Sequence, residues 1–180
     1  VDVVGGDIEV REFFSFECPH CFKLEPYIDG WAKSKPSGTV FVKTPVMMRS
    51  SWGPQAHAYY VAQSLGKESA VSAALFDAIH VDNKTLQTES QLADFFVQFD
   101  VDPQQFYKLY NSFSIRVKIR QAEALTKEYR LSGVPAVIVN GKFLVTGSMS
   151  KGYGRMLDII NFLVKKEKAK PSSTPDSPAT

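Results

Sequence analysis

Phe13-Phe14-Ser15-Phe16-Glu17-Cys18-Pro19-His20-Cys21-Phe22-Lys23-Leu24-Glu25-Pro26 is the stretch on which the reading of this chain turns. An apolar, aromatic run ends at Glu17, and the only two cysteines of the chain follow, separated by Pro and His. Disulfide stabilisation grows with the loop that is closed, and a bond from Cys18 to Cys21 closes nearly the shortest loop possible. Such a bond does little for a fold but is readily made and broken. The run before it predicts a strand and the pattern after it a helix. Cys18 is thereby placed at a helix N-terminus, where unpaired N–H groups and the positive dipole end favour a thiolate.

Pro19 falls in the first helical turn, where no backbone N–H is needed. His20 brings a positive charge or an N–H donor within reach of the Cys18 sulfur, and either stabilises the anion. Cys21 lies one turn later on the same side and can attack a mixed disulfide held at Cys18. Cys18 is therefore expected as the exposed sulfur that meets substrate, and Cys21 as the more buried resolving thiol. The competing reading, half of a zinc site, needs two more ligands at a characteristic spacing. His57 and His80 form no such pair and read as ordinary structural or surface residues, so no metal is expected.

The 180 residues suit one domain, or one domain with an insertion. A hydrophobic fraction of 44% with 12% aromatics is a globular composition. The formal net charge of +2 argues against nucleic acid or an anionic membrane as partner. No apolar run approaches the length of a membrane span. The chain opens on Val1 without a signal-peptide pattern, so a mature or trimmed form is expected.

Along the chain, Ile8 to Phe16 predicts a buried strand and Cys18 to about Lys35 a helix, which Pro26 should kink or interrupt. Thr39 to Lys43 predicts a second strand. From Gln55 the composition turns helical, with helices over Gln55–Leu65, Glu68–His80, Leu92–Phe99, a fourth opened by Asp102-Pro103, and Ser114–Tyr129. Thr88-Glu89-Ser90-Gln91 carries a capping-box pattern, and Asp102 reads as an N-cap with Pro103 at the first helical position. Ala136–Val139 and Phe143–Thr146 predict strands joined by an Asn140-Gly141 hairpin turn. A last helix follows over Tyr153–Glu167. A helical block between strand-rich halves fits an interrupted sheet better than an alternating doubly wound fold.

The stretch around Cys18-Pro19-His20-Cys21 resembles the active site of DsbA-type thiol:disulfide oxidoreductases, bacterial oxidants of the thioredoxin superfamily. Gly133-Val134-Pro135-Ala136 with Val139-Asn140-Gly141-Lys142-Phe143 is similar to that family's cis-proline segment, and Asn111-Ser112-Phe113 to a landmark of its helical domain. The likeness runs from about Ile8 to about Lys166. It implies an α/β thioredoxin-like fold with an inserted all-helical domain. Residues 1–47 and 123–166 would form the two parts of the thioredoxin-like domain, 48–122 the insertion, and 167–180 a disordered tail.

By the same resemblance, the protein introduces disulfide bonds into reduced, unfolded exported proteins in the periplasm, as a monomer. A membrane-bound, quinone-linked partner of the DsbB type reoxidises it, and the Cys18–Cys21 disulfide serves in place of any soluble cofactor. The alternatives are a disulfide reductase or isomerase, or a chaperone-like peptide-binding module, on the same scaffold. Val134 and a cis Pro135 would offer backbone groups to an extended substrate; an ordinary trans proline at a strand edge is the plainer reading. Glu12, Glu25 and Lys43 would form a charged, proton-moving cluster beneath Cys21, against the alternative of three solvated charges. Met47, Met48 and Met149 are candidates to edge an apolar groove, with core packing as the alternative.

A Cys18 thiol some three units below neutrality would supply on the order of 100 mV of oxidising potential and make the reduced form the more stable one at neutral pH. Glu17 is expected to oppose this slightly. At about 7 Å its charge would raise the thiol by under about one pKa unit, unless it faces solvent and is screened.

Overall fold

The structure, a computed structural model, describes residues 7–169. Strand β1 covers Ile8–Phe14 and is followed by helix α1, Pro19–Ser34, and strand β2, Thr39–Pro45. Five helices come next: α2 (Gly53–Ser64), α3 (Glu68–His80), α4 (Glu89–Phe96), α5 (Pro103–Tyr110) and α6 (Phe113–Glu128). Strands β3 (Ala136–Val139) and β4 (Phe143–Thr146) lead to a one-turn helix α7, Gly147–Ser150, and to α8, Tyr153–Lys168. The four strands form one sheet in the order β2-β1-β3-β4. An α/β sheet whose strands are separated by an uninterrupted run of five helices is the interrupted architecture expected from the sequence.

The local signals act as read. Thr88 and Gln91 close a reciprocal capping box at the start of α4, and Asp102 accepts from the N–H groups of Gln104 and Gln105 at the start of α5. Asn140 and Gly141 both adopt positive φ, 52° and 65°, as the hairpin between β3 and β4 requires. Two expectations shift. β1 stops at Phe14, because the Ser15 carbonyl accepts from the Cys18 N–H at 3.1 Å and turns the chain. Pro26 does not interrupt α1: it is exposed, while Leu24 and Ile28 on either side are fully buried and hold the helix on its apolar face.

Among the described residues the chain divides into two compact units. The first holds 7–12, 26–42 and 137–169. Its core gathers Val10, Ile28, Trp31, the whole of β3 after Ala136, and Met156, Ile160 and Val164 from α8. The Trp31 indole N–H donates to Asn161 at 2.8 Å, so the ring is buried with its polar atom satisfied. The second unit holds 13–25 and 43–136 and contains the helical block together with the Cys18-Cys21 segment. Its core is aromatic: Phe14, Phe16 and Phe76 pack with centroids 4.9 to 6.1 Å apart, and Phe96 and Phe106 meet at 4.7 Å.

Two of the expected domain limits can be placed on the elements. The limit after residue 122 lies inside α6, whose apolar repeat continues through Leu125 to a last residue at Glu128. The tail expected from 167 has its first two residues in α8, where Glu167 is buried; residues 170–180 lie outside the described residues.

Candidate active site

The site is built on the turn from Ser15 to Cys18 and the first turn of α1. Pro19 occupies the first helical position and is exposed, as is His20, whereas Cys21 faces the core and is fully buried. Both cysteines are free thiols. The spacing thus works as the helical repeat dictates: residues 18 and 21 share one side, and the two between them face outward.

Against the expectation of an exposed sulfur, Cys18 is buried, with only 7% of its surface accessible. The reason is the aromatic end of β1. Phe14 and Phe16 belong to the same apolar cluster as both cysteines, and Val134 packs against that cluster. The Cys18 sulfur lies 3.5 Å from the Val134 carbonyl oxygen, to which the thiol can donate. Access to the sulfur therefore runs past Val134, and the order of burial between the two cysteines is kept. The Val134–Pro135 peptide bond is cis, the isomer that the segment's resemblance implies.

The Cys18 thiol is lowered from an ordinary 9.0 to about 6. The Cys21 thiol, donating to it, is the largest cause; burial pulls the other way; the backbone N–H groups of Cys21 and His20 and the charge of His20 add to the lowering. The direction is the one expected from the helix start and His20. At pH 7 most of this thiol is ionised.

Glu25 and Lys43 form a salt bridge with side chains 13% and 12% exposed, and the Lys43 ammonium also lies 5.0 Å from the centre of the Phe14 ring. The third member of the expected cluster, Glu12, is fully buried on β1, so the alternative of a solvated charge does not hold for it. Met47 packs against the cysteine-containing cluster, and Met149 is 64% exposed.

Several residues at the site carry no sequence signal. His80, read as ordinary, has its Nε2 2.7 Å from the Phe16 carbonyl and its ring stacked on Phe22 at 4.8 Å. Since a carbonyl only accepts, Nε2 carries the proton. Ser51, Gln55 and Gln87 all converge on the Glu17 carboxylate. The Glu17 carboxylate is thus held by three neutral donors.

A disulfide-forming pair at a helix start, a cis proline beside it and an inserted helical block are found together in known proteins. The sequence profile of the DSBA-like thioredoxin domain matches residues 9–152. The thiol:disulfide interchange protein DsbA of Pseudomonas aeruginosa is 35% identical over 164 residues, 91% of this chain and 78% of that protein. The DsbA of Burkholderia cepacia is likewise 35% identical over 166 residues, covering 92% of this chain and 78% of its own length. Among solved structures, a variant of Pseudomonas aeruginosa DsbA superposes with a TM-score of 0.90 at 35% identity, covering 94% of this chain and 91% of the other. The oxidoreductase DsbA from Xylella fastidiosa gives 0.88 at 28% identity, covering 94% and 90%. With the fold, the dithiol helix and these relatives in agreement, this chain is a member of the DsbA-like family of thiol:disulfide oxidoreductases.

Proposed function

We propose that this protein oxidises cysteine pairs of newly exported proteins in the periplasm, with Cys18 as the exchanging sulfur. In the oxidised enzyme a substrate thiolate attacks the Cys18 sulfur, breaking the Cys18–Cys21 bond and releasing Cys21 as the leaving thiolate, which takes up a proton. The substrate's second thiolate then attacks its own sulfur in the mixed disulfide and expels Cys18 as a thiolate. Two electrons and the substrate disulfide have then changed hands. A membrane-bound, quinone-linked partner of the DsbB type takes the electrons on, and no soluble cofactor takes part. The protein acts as a monomer.

The observation that carries this reading is the Cys18 thiol lowered to about 6 at the start of α1. A good leaving thiolate on the enzyme favours handing the disulfide to the substrate. Pro19 keeps the first helical turn free of a donor it would not use, and His20 adds its charge. Val134 and Pro135 present an extended edge to the bound polypeptide, whose backbone N–H takes the Val134 carbonyl in place of the Cys18 thiol. The Glu25–Lys43 pair holds and returns the proton that Cys21 exchanges.

The test is the redox equilibrium of the protein with glutathione, followed by oxidation of a peptide with two cysteines. An oxidase equilibrates well to the oxidising side of thioredoxin and converts the peptide stoichiometrically. Equilibration near thioredoxin, with insulin reduction faster than peptide oxidation, would instead make the protein a reductase.

A further inference from the structure

Two consecutive residues ahead of Cys18 are tethered from distant parts of the chain. The Phe16 carbonyl accepts from His80, 64 residues away. The Glu17 carboxylate accepts three hydrogen bonds: Oε2 from the Ser51 hydroxyl at 3.1 Å, and Oε1 from the Gln55 amide at 3.1 Å and the Gln87 amide at 2.5 Å. These partners lie 34, 38 and 70 residues along the chain. Gln55 is 1% exposed, and its amide nitrogen also donates to the Leu86 carbonyl at 2.9 Å. Both groups facing that nitrogen are acceptors, so the amide has one workable orientation. Its oxygen is left buried with no hydrogen-bond partner among the described residues. Gln55 is thereby committed to the Glu17 carboxylate and the Leu86 carbonyl.

We propose that Glu17 is a positioning residue of the thiol site: its carboxylate, gripped by Ser51, Gln55 and Gln87, fixes the turn that presents Cys18 to the start of α1. The donors are all neutral, so the carboxylate is not there to form an ion pair; it is there because it accepts from several directions at once. The geometry gives the reason for the grip. The N–H groups of His20 and Cys21 must stay aimed at the Cys18 sulfur, and hydrogen bonds weaken steeply once their angle opens. Ser15 supplies only local restraint, through its carbonyl to the Cys18 N–H and its hydroxyl to the Glu17 N–H. Anchoring from Ser51 in the turn before α2, from α2 itself and from the segment before α4 prevents the active-site turn from rocking against the helix it feeds. The inference rests on Cys18 being the exchanging thiol, which selective alkylation of the unaltered protein tests separately.

Three variants decide it, read by the thiolate's ultraviolet absorbance against pH and by the equilibrium constant with glutathione. Glu17→Ala removes the acceptor. Ser51→Ala/Gln87→Ala keeps the carboxylate and removes two of its donors, and it stands in if Glu17→Ala does not fold. Glu17→Gln removes the charge but keeps the grip: its oxygen can accept from both amides and its nitrogen can donate to the Ser51 hydroxyl. The first two should raise the Cys18 pKa and shift the glutathione constant about threefold, toward a less oxidising protein, which is half a pKa unit. Glu17→Gln should titrate with the unaltered protein. A lowered Cys18 pKa in Glu17→Gln would mean that the charge acts on the sulfur, and superimposable titrations of all the folded variants would mean that the grip does not position it. Either result overturns the proposal.

Discussion

Replacing Cys18 by Ala should change how the stability of the reduced protein depends on pH, and the size of the change follows from the thiol's environment. Cys18 titrates at about 6 in the folded protein against 9.0 ordinarily. A depressed folded value adds stability that is complete above the unfolded pKa and is lost as pH falls through the folded one. The full contribution, three units, is about 4 kcal/mol above pH 9. Well over half of it remains at pH 8, about a third at pH 7, and almost none at pH 5. Urea melts of the reduced protein and of Cys18→Ala, in the same reductant, should therefore differ by a margin that grows by about 1 kcal/mol between pH 5 and 7, and by about as much again by pH 8. Any packing effect of losing the sulfur is a constant offset and drops out of this slope. A margin that is flat from pH 5 to 8 would refute a thiolate stabilised by the fold. The comparison with the oxidised form depends on pH in the same way. Closing the loop from Cys18 to Cys21 is worth about 2 kcal/mol by chain entropy. The thiolate works against that term, so the reduced form gains on the oxidised one as pH rises above the folded pKa.

Cys18→Ser should abolish exchange, while Cys21→Ser should accumulate substrate mixed disulfides on Cys18, seen as gel-shifted, reductant-sensitive adducts; full turnover by Cys21→Ser would reverse the assigned roles. His20→Ala should raise the Cys18 pKa by less than about one unit in the absorbance titration, because the His20 charge is the smallest of the influences on the sulfur and the backbone N–H survives the substitution. Lys43→Met should destabilise the protein by about 3 kcal/mol in urea melts, since it leaves Glu25 largely buried without its salt-bridge cation, and adding Glu25→Leu should recover most of the loss.

How much of the molecule can be read from the sequence varies with the range of the interaction. The dithiol helix, the caps at Thr88 and Asp102 and the Asn140-Gly141 turn are legible because each is decided within a few neighbouring residues. The end of β1 is not, because Phe16 continues the apolar run while sitting in a turn; it is buried by Phe76, 60 positions away in the sequence, and periodicity carries no trace of that. For the same reason Gln55, a polar residue opening a helix, gives no sign that it is buried against Glu17. The burial of Cys18 escapes the sequence because helix geometry says which side a residue faces, not what packs over that side. That same burial opposes part of the thiolate's stabilisation, a contribution that helix geometry does not reveal.

The last turn of α8 sets a practical limit on how the chain can be handled. Glu167, with its side chain 1% exposed, accepts from the Asn140 amide at 2.8 Å and from the Lys142 ammonium at 2.7 Å, clasping the turn between β3 and β4. Trimming the C-terminus back past Glu167, or fusing a rigid partner directly onto it, would release that clasp and leave the tight turn to its backbone hydrogen bonds. Affinity tags and truncations should therefore spare Glu167 and begin beyond Ala169, where the described helix has already ended.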